Sequence, residues 1–483
     1  MAGKRWIWPG LGVLLLLIFL LLSPIKPITS LGMKVVGIFL FTIVWWATVG
    51  RGFTSIMAIV LFAVFGVMKP TELFAASWGN RLVLMLIDAF GLSGALRFTG
   101  FSRRFALWFI CRRFVSGHPW RLVAMFLLSC TLLGSFTSST NACLVSLAVA
   151  EPMLEALGYK KGDRFAAMLI MGIAWASTSS SAITPIAHST ILTVLDWLQR
   201  DFGYGVSFLQ WVAFGIPTGL LSYLMLLGFY RYVVRPDVTK ISKSETFEYV
   251  RGQCELLAPI SLEEKIAVGV FLAVVIIWVS PTLISGILPS VSVYLDRLGT
   301  AIPPLAGASL LCAIRVKDHP VLSFAKWMTE GVEWNAIALV ATVQVLAIAI
   351  QNPDTGITEF LIGLCGPLGR SLPLWGFLGC SVFLVVLQTN VASKMVPLTL
   401  VYTVMVPIAV ACGTGNPVAL GATIAVASNY GFALPSAVAS TAIVVGSGWV
   451  PVPFMARYGF LLVIPVTLLL AFVCYPLASV VLR

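Results

Sequence analysis

Apolar runs about as long as a membrane-spanning helix follow one another along nearly the whole 483-residue chain. An α-helix needs about 20 predominantly apolar residues to cross a bilayer. The pattern predicts crossings near these positions: 8–23, 35–49, 53–68, 80–97, 165–197, 206–230, 266–283, 300–314, 335–350, 417–447 and 458–481. The sequence therefore predicts an all-α integral membrane protein with about 11 transmembrane helices.

Polar clusters interrupt this pattern in the same order in both halves. The first half contains Ser138, Ser139, Thr140, Asn141, Ser177, Ser189 and Thr190. The second half contains Gln388, Thr389, Asn390, Ser428, Ser440 and Thr441. The step from Ser177 to Ser189 is 12 residues, and the step from Ser428 to Ser440 is also 12. Matched spacing predicts a duplicated unit of about half the chain, with helices 165–197 and 417–447 each broken in the middle.

Two apolar segments, near 121–153 and 373–411, carry a polar cluster at their centre. Each arm alone is expected to be too short to cross a bilayer. Non-helical backbone at membrane depth occurs only where it lines a protein cavity. The pattern therefore predicts two re-entrant hairpins, with tips at Thr137–Asn141 and Gln388–Asn390.

A Thr-Gly pair also repeats, because Thr99-Gly100 is followed by Thr355-Gly356 at an offset of 256 residues. Each pair precedes a short amphipathic segment. The first segment carries Arg103 and Arg104, and we expect it to contact membrane lipid headgroups.

Basic residues predict the orientation. Lys4 and Arg5 precede the first apolar run, and six more lie between the halves: Arg231, Arg235, Lys240, Lys243, Arg251 and Lys265. Cytoplasmic loops are enriched in Lys and Arg, so the N-terminus and a linker at 234–265 are predicted to be cytoplasmic. The protein is predicted to reside in the cell (inner) membrane. Residues 1–233 then form a first repeat and 266–483 a second. The first repeat has one extra crossing, so the two have opposite orientations, as in an inverted-repeat transporter.

Composition supports this interpretation, because 59% of residues are hydrophobic and only 10% are charged. Soluble domains contain about 25% charged residues. The net charge of +12 sits in short loops between apolar runs, so positive-inside bias explains it better than nucleic-acid binding.

The tips and the broken helices are predicted to form one binding site for a small anion. Free N–H groups at helix N-termini attract carboxylate or sulfate oxygens, and Ser, Thr and Asn can donate to an anion or accept toward a cation. The alternative is that each hydroxyl bonds its own helix. The candidate substrate-binding residues are Ser138, Ser139, Thr140, Asn141, Ser189, Thr190, Gln388, Thr389, Asn390, Lys394, Ser440 and Thr441. The candidate sodium ligands are Ser138, Asn141, Ser177, Thr178, Ser179, Asn390, Ser428 and Asn429.

Lys394 lies one turn beyond the second tip, in a stretch with no other charge. A lysine at the bilayer centre costs about 3 kcal/mol or more unless it is paired. Its ammonium could bind a substrate anion or take the place of a coupling cation, which predicts weak sodium dependence with exchange or proton coupling. The alternatives are snorkelling to an interface or pairing with Asp88 or Glu151. His188 could titrate during transport or serve as a structural hydrogen-bonding group.

The two hairpins, the broken helices and the closing segment Ala442–Val450 resemble the divalent anion:sodium symporter family (DASS), within the ion transporter superfamily. The Ser-Asn-Thr tips of that family correspond here to Ser138-Ser139-Thr140 and Leu387-Gln388-Thr389. The resemblance covers nearly the whole chain. It implies a secondary active transporter of di- or tricarboxylates, sulfate or sulfonates, coupled to Na+ or H+ or working by exchange. It also implies no other cofactor and a homodimer.

The sequence disfavours two other classes of protein. A cation/proton antiporter of the same superfamily needs carboxylates that converge at the midplane, and neither repeat has an acid at a matching position. An integral-membrane enzyme needs a catalytic constellation such as HExxH, which does not occur in the sequence.

Overall fold

The computed structural model describes residues 7–115, 118–186, 188–238, 252, 255, 258–299, 301–391 and 394–482. The orientation predicted from Lys4, Arg5, Lys240, Lys243 and Arg251 rests on residues outside these ranges. Most of the predicted linker 234–265 also lies outside them.

Helices account for nearly all of the regular secondary structure in the described ranges. In the first half they are α1 (Ile7–Leu21), α2 (Ser30–Thr48), α3 (Gly52–Val64), α4 (Pro70–Ala76), α5 (Arg81–Phe98), α6 (Phe101–Ile110), α7 (Pro119–Phe136), α8 (Ser139–Ala156), α9 (Arg164–Ser179), α10 (Ser189–Phe202) and α11 (Phe208–Phe229). In the second half they are α12 (Leu262–Ile284), α13 (Pro289–Leu298), α14 (Ile302–Ala313), α15 (Trp334–Gln351), α16 (Ile357–Ser371), α17 (Leu374–Val391), α18 (Met395–Cys412), α19 (Pro417–Ala427), α20 (Ala439–Gly446), α21 (Val452–Leu469) and α22 (Tyr475–Val481). Strands β1 (Arg315–Val316) and β2 (His319–Pro320) pair antiparallel. The all-α prediction is confirmed, although this β-hairpin and α13 were not predicted.

Nine helices of the described ranges are long and apolar enough to cross a bilayer, or ten if the bent pair 70–98 and 101–110 forms one span. The chain is therefore a multi-pass integral membrane protein. The number differs from the eleven expected because α1, α3, α14 and α19 are shorter than 18 residues and α5 counts only as part of the bent pair. In turn, α7, α17 and α18, which were predicted as hairpin arms, qualify as spans.

The predicted hairpins are pairs of helices in mutual contact, α7 with α8 and α17 with α18. Each of these four arms has 18 residues, which corresponds to about 27 Å at 1.5 Å per residue. The expectation that each arm is too short to cross a bilayer is therefore wrong. Their length is compatible with either a full or a partial crossing.

The two tips differ in register. At the first tip Thr137 and Ser138 are extended, and the Ser138 hydroxyl caps α8 by accepting from the Asn141 N–H at 3.2 Å. The second tip was predicted at Gln388–Asn390, but these residues remain helical in α17, and α18 begins after Lys394. The Asn390 side chain donates to the Val386 carbonyl of its own helix at 2.8 Å, which supports helical backbone at this point.

Both predicted helix breaks are present. Helix α9 ends in a 3-10 turn at Ser180–Ala182, and α10 begins at Ser189. Helices α19 and α20 flank a non-helical segment at 428–438. Trp175 of α9 donates to the Phe432 carbonyl at 3.1 Å, so the break in the second half packs against the broken helix of the first.

The repeated Thr-Gly pairs form matching turns. Gly100 has φ +91° before α6, and Gly356 has φ +66° before α16. Glycine adopts this left-handed conformation without the steric cost that a Cβ adds. At Gly356 an added Cβ would also lie 2.1 Å from the Pro27 carbonyl oxygen. The turns therefore explain why the same pair precedes both amphipathic helices.

Candidate functional site

A cavity of about 630 Å³ lies where the first tip, the two helix breaks and the start of α18 come together. Both halves of the chain line it. The polar and charged lining residues are Arg51, Ser93, Thr137, Ser138, Ser139, Thr140, His188, Ser189, Glu333, Asn335 and Lys394. Its size is in the range of small-molecule sites.

The first tip contributes three of its four candidate residues directly, since Ser138, Ser139 and Thr140 line the cavity. Asn141 is buried behind them, and its Nδ2 donates to the Ser93 hydroxyl at 3.2 Å. Ser93 itself lines the cavity. Asn141 therefore positions a lining hydroxyl.

The second tip contributes differently. None of Gln388, Thr389 and Asn390 is among the described residues that line the cavity. The Asn390 Oδ1 accepts from the N–H groups of Phe432 and Ala433 at 2.7 Å each, and its Nδ2 donates to the Tyr430 carbonyl at 3.1 Å. Buried backbone groups outside a helix need such partners. Asn390 therefore supports the non-helical segment 428–438.

Lys394 lines the cavity at the start of α18. Its Nζ donates to the Asn429 Oδ1 at 3.3 Å, and the Asn429 Nδ2 donates to the Thr190 hydroxyl at 2.6 Å. Three ion pairs occur within 4.0 Å among the described residues, and Lys394 is in none of them. The ammonium therefore has an amide partner, and a pair with Asp88 or Glu151 is not formed.

The remaining candidates either join the two broken helices or bond to a nearby backbone carbonyl of their own segment. Thr178 and Ser440 share a hydroxyl hydrogen bond at 3.1 Å, and Ser189 lines the cavity. Thr441 donates to the Val438 carbonyl at 2.7 Å.

The candidate ion ligands on the last turns of α9 and α19 mostly bond within their own helices. Ser177 donates to the Ala174 carbonyl at 3.0 Å, and Ser428 donates to the Ala425 carbonyl at 2.8 Å. Ser179 is buried beside them. These contacts match the alternative that the sequence left open for Ser177 and Ser428.

Sequence reasoning missed two charged residues of the cavity, Arg51 and Glu333. Arg51 immediately precedes α3, and its Nη2 donates to the Ser436 carbonyl at 3.1 Å. Glu333 immediately precedes α15. The start of α3 adjoins the start of α15, because a Cβ on Gly52 would lie 2.3 Å from the Asn335 Oδ1. The signal in the sequence was a charged residue directly before each apolar run. Ordinary loops between membrane spans show the same pattern.

The electrostatics of the cavity favour an anion. Arg51 and Lys394 are cationic and Glu333 is anionic, which leaves one net positive charge from these three side chains. Hydroxyls of the first tip add donors. His188 is 3% exposed, and its Nε2 has no hydrogen-bond partner among the described residues.

A polytopic helical fold with paired broken helices around a basic cavity defines a secondary transporter of anions. A family model described as sodium:sulfate symporter transmembrane region matches residues 4–480. The chain belongs to this family, which makes it a membrane transporter rather than an enzyme.

Two similar proteins have low sequence identity to this chain, but their alignments cover most of it. A protein named sodium-dependent dicarboxylate transporter SdcS, from Staphylococcus saprophyticus, is 24% identical over 461 residues, which cover 93% of this chain and 87% of that protein. A protein of the same name from Staphylococcus aureus strain USA300 is 23% identical over 500 residues, covering 98% of this chain and 91% of that protein.

Proposed function

We propose that this protein transports small dianions, dicarboxylates foremost, across the cell membrane by alternating access. The observation that carries the proposal is the cavity between the halves, in which Lys394 and Arg51 accompany the hydroxyls of the first tip. The names of the SdcS relatives support a dicarboxylate, and the description of the family adds sulfate.

Within the cavity, one carboxylate of the substrate binds near Lys394 and the hydroxyls of Ser138, Ser139 and Thr140. Arg51 lies in the same cavity and supplies the second cation. A charged hydrogen bond in such a site is typically worth about 1.5–3 kcal/mol. Two cations predict a preference for dianions over monoanions, because the attraction grows with substrate charge.

Lys394 also bears on coupling. Its ammonium donates to the Oδ1 of Asn429, a residue predicted from the sequence to be a sodium ligand. We infer that the ammonium supplies part of the positive charge that coupling sodium ions supply in sodium-dependent transporters. Sodium dependence is therefore weaker than the names of the SdcS relatives imply, and exchange or proton coupling carries more of the transport.

The test is uptake into proteoliposomes that contain the purified protein. The panel is succinate, citrate, sulfate and a sulfonate, each with and without an inward sodium gradient and with and without internal substrate. Saturable uptake of at least one dianion supports the proposal. Absence of uptake and of counterflow for every member of the panel overturns it.

We further propose that the two units are inverted repeats, with the N-terminus and linker cytoplasmic and the C-terminus outside, and that the protein is a homodimer. Single cysteines at Lys243 and Arg483 should react with a membrane-impermeant reagent from opposite sides. Labelling of both from one side contradicts the inverted arrangement. Mass measurement of the purified protein in detergent tests the dimer.

A further inference from the structure

Glu333 places a carboxylate inside a cavity that otherwise favours anions. The chain reaches this point just before α15, and Glu333 is half-buried there. Among the described residues its carboxylate forms no ion pair within 4.0 Å, even though Arg51 and Lys394 line the same cavity.

The Glu333 carboxylate contacts the first tip. The Ser138 Oγ donates to the Glu333 Oε1 at 3.4 Å. The same Oγ accepts from the Asn141 N–H at 3.2 Å. The distance from Ser138 to Glu333 is long for a hydrogen bond between two oxygens. Because a serine hydroxyl has a single proton, Ser138 donates either to Glu333 or to a bound anion, and not to both.

This carboxylate stands where a substrate carboxylate is expected. Ser138 caps the N-terminus of the 18-residue helix α8, where free N–H groups and the positive end of the dipole attract anions. Glu333 belongs to the second half of the chain, and its side chain contacts this tip at the cavity.

We propose that Glu333 is a tethered competitor of the substrate. Its carboxylate occupies the Ser138 hydroxyl in the substrate-free cavity and must yield it when a substrate anion binds. It therefore lowers affinity, and it lowers the affinity of dianions more than that of monoanions because its repulsion scales with substrate charge. Reoccupation of Ser138 by Glu333 favours substrate release. This inference rests on the proposed transport of dianions.

The first test compares succinate with succinamate, in which an amide replaces one carboxylate. Binding is measured by titration calorimetry on the purified full-length protein. Glu333→Gln keeps the shape and removes the charge. We expect it to tighten succinate binding at least fivefold and succinamate binding clearly less. Glu330→Gln is the matched control, because Glu330 is exposed, lies three residues away and does not line the cavity. This control should bind both ligands as the wild type does.

The second test asks whether Glu333 acts through Ser138. Ser138→Ala is made in the wild-type protein and in Glu333→Ala. Loss of the α8 cap is common to both backgrounds and cancels in the comparison. In the wild type the substrate must displace Glu333 to gain the hydroxyl, so Ser138→Ala should change succinate affinity less than threefold. In Glu333→Ala the hydroxyl is free, and its loss should weaken binding roughly tenfold.

The outcomes separate this inference from the proposed function. If the wild type binds neither succinate nor any other dianion of the panel, the proposed function fails and the inference fails with it. If the wild type binds succinate but Glu333→Gln binds it equally or more weakly, the competitor role alone is overturned. Equal effects of Ser138→Ala in both backgrounds overturn it as well, and this result does not depend on the absolute stability of any one variant.

Discussion

Lys394 gives the sharpest test of the proposed site, because Lys394→Gln removes one positive charge from the cavity and keeps a side chain of similar size. A carboxylate held about 5 Å from the ammonium, at an effective dielectric constant of about 20, interacts with it by about 3 kcal/mol. The second carboxylate of a four-carbon dianion, at about 9 Å, adds about 2 kcal/mol.

Water in the open cavity screens both interactions by about half, so we expect Lys394→Gln to lose roughly 50-fold in succinate affinity and roughly tenfold in succinamate affinity. The ratio between the two losses reports the charge effect and is independent of the amount of active protein.

The assay is competition for labelled succinate in proteoliposomes, repeated over a range of sodium concentrations. Lys69→Gln is the control, because Lys69 is an exposed lysine that does not line the cavity. Lys394→Gln should also make uptake depend more steeply on sodium. Equal losses for the two ligands, or unchanged uptake with an unchanged sodium response, would refute the role given to Lys394.

Three further substitutions test the site and its supports. Thr140→Ala should weaken succinate binding about tenfold through the loss of a lining donor, measured by calorimetry, while the melting temperature in detergent stays at the wild-type value; normal affinity would remove Thr140 from the site. Asn390→Ala should instead lower the melting temperature by several degrees, because the N–H groups of Phe432 and Ala433 lose their acceptor; an unchanged melting curve would contradict this structural role. Gly356→Ala should destabilise the protein by about 2 kcal/mol or more, because Gly356 has a positive φ and an added Cβ would clash with Pro27. Gly363→Ala is the control and should leave stability unchanged, because no atom lies within 4 Å of the added Cβ.

The repeats in the sequence located much of the fold. Matched spacing placed both helix breaks correctly, and the two Thr-Gly pairs proved to be matching left-handed turns. These features are local, because a break or a positive φ is determined by the residues at that position. The same reasoning identified Lys394 as a cavity residue, since a charge in an apolar run requires a polar environment.

The register of the second tip and two charged lining residues could not be predicted in this way. Asn390 stays helical because its amide bonds both to its own helix and to a segment 40 or more residues away, a contact absent from any local pattern. Arg51 and Glu333 stand at helix starts, where a charged residue usually marks the edge of the membrane. Only the packing of α3 against α15 shows that these starts adjoin the cavity.

The hydrogen bonds of Asn390 have a consequence for the kinetics of binding. The Asn390 side chain forms hydrogen bonds with backbone groups at 430–433 that would bond to other backbone groups if the helix were continuous. The opening in the helix is thus maintained by the protein itself before any ligand arrives. A substrate enters a preorganised pocket, so its association rate need not include a step in which helical hydrogen bonds are broken.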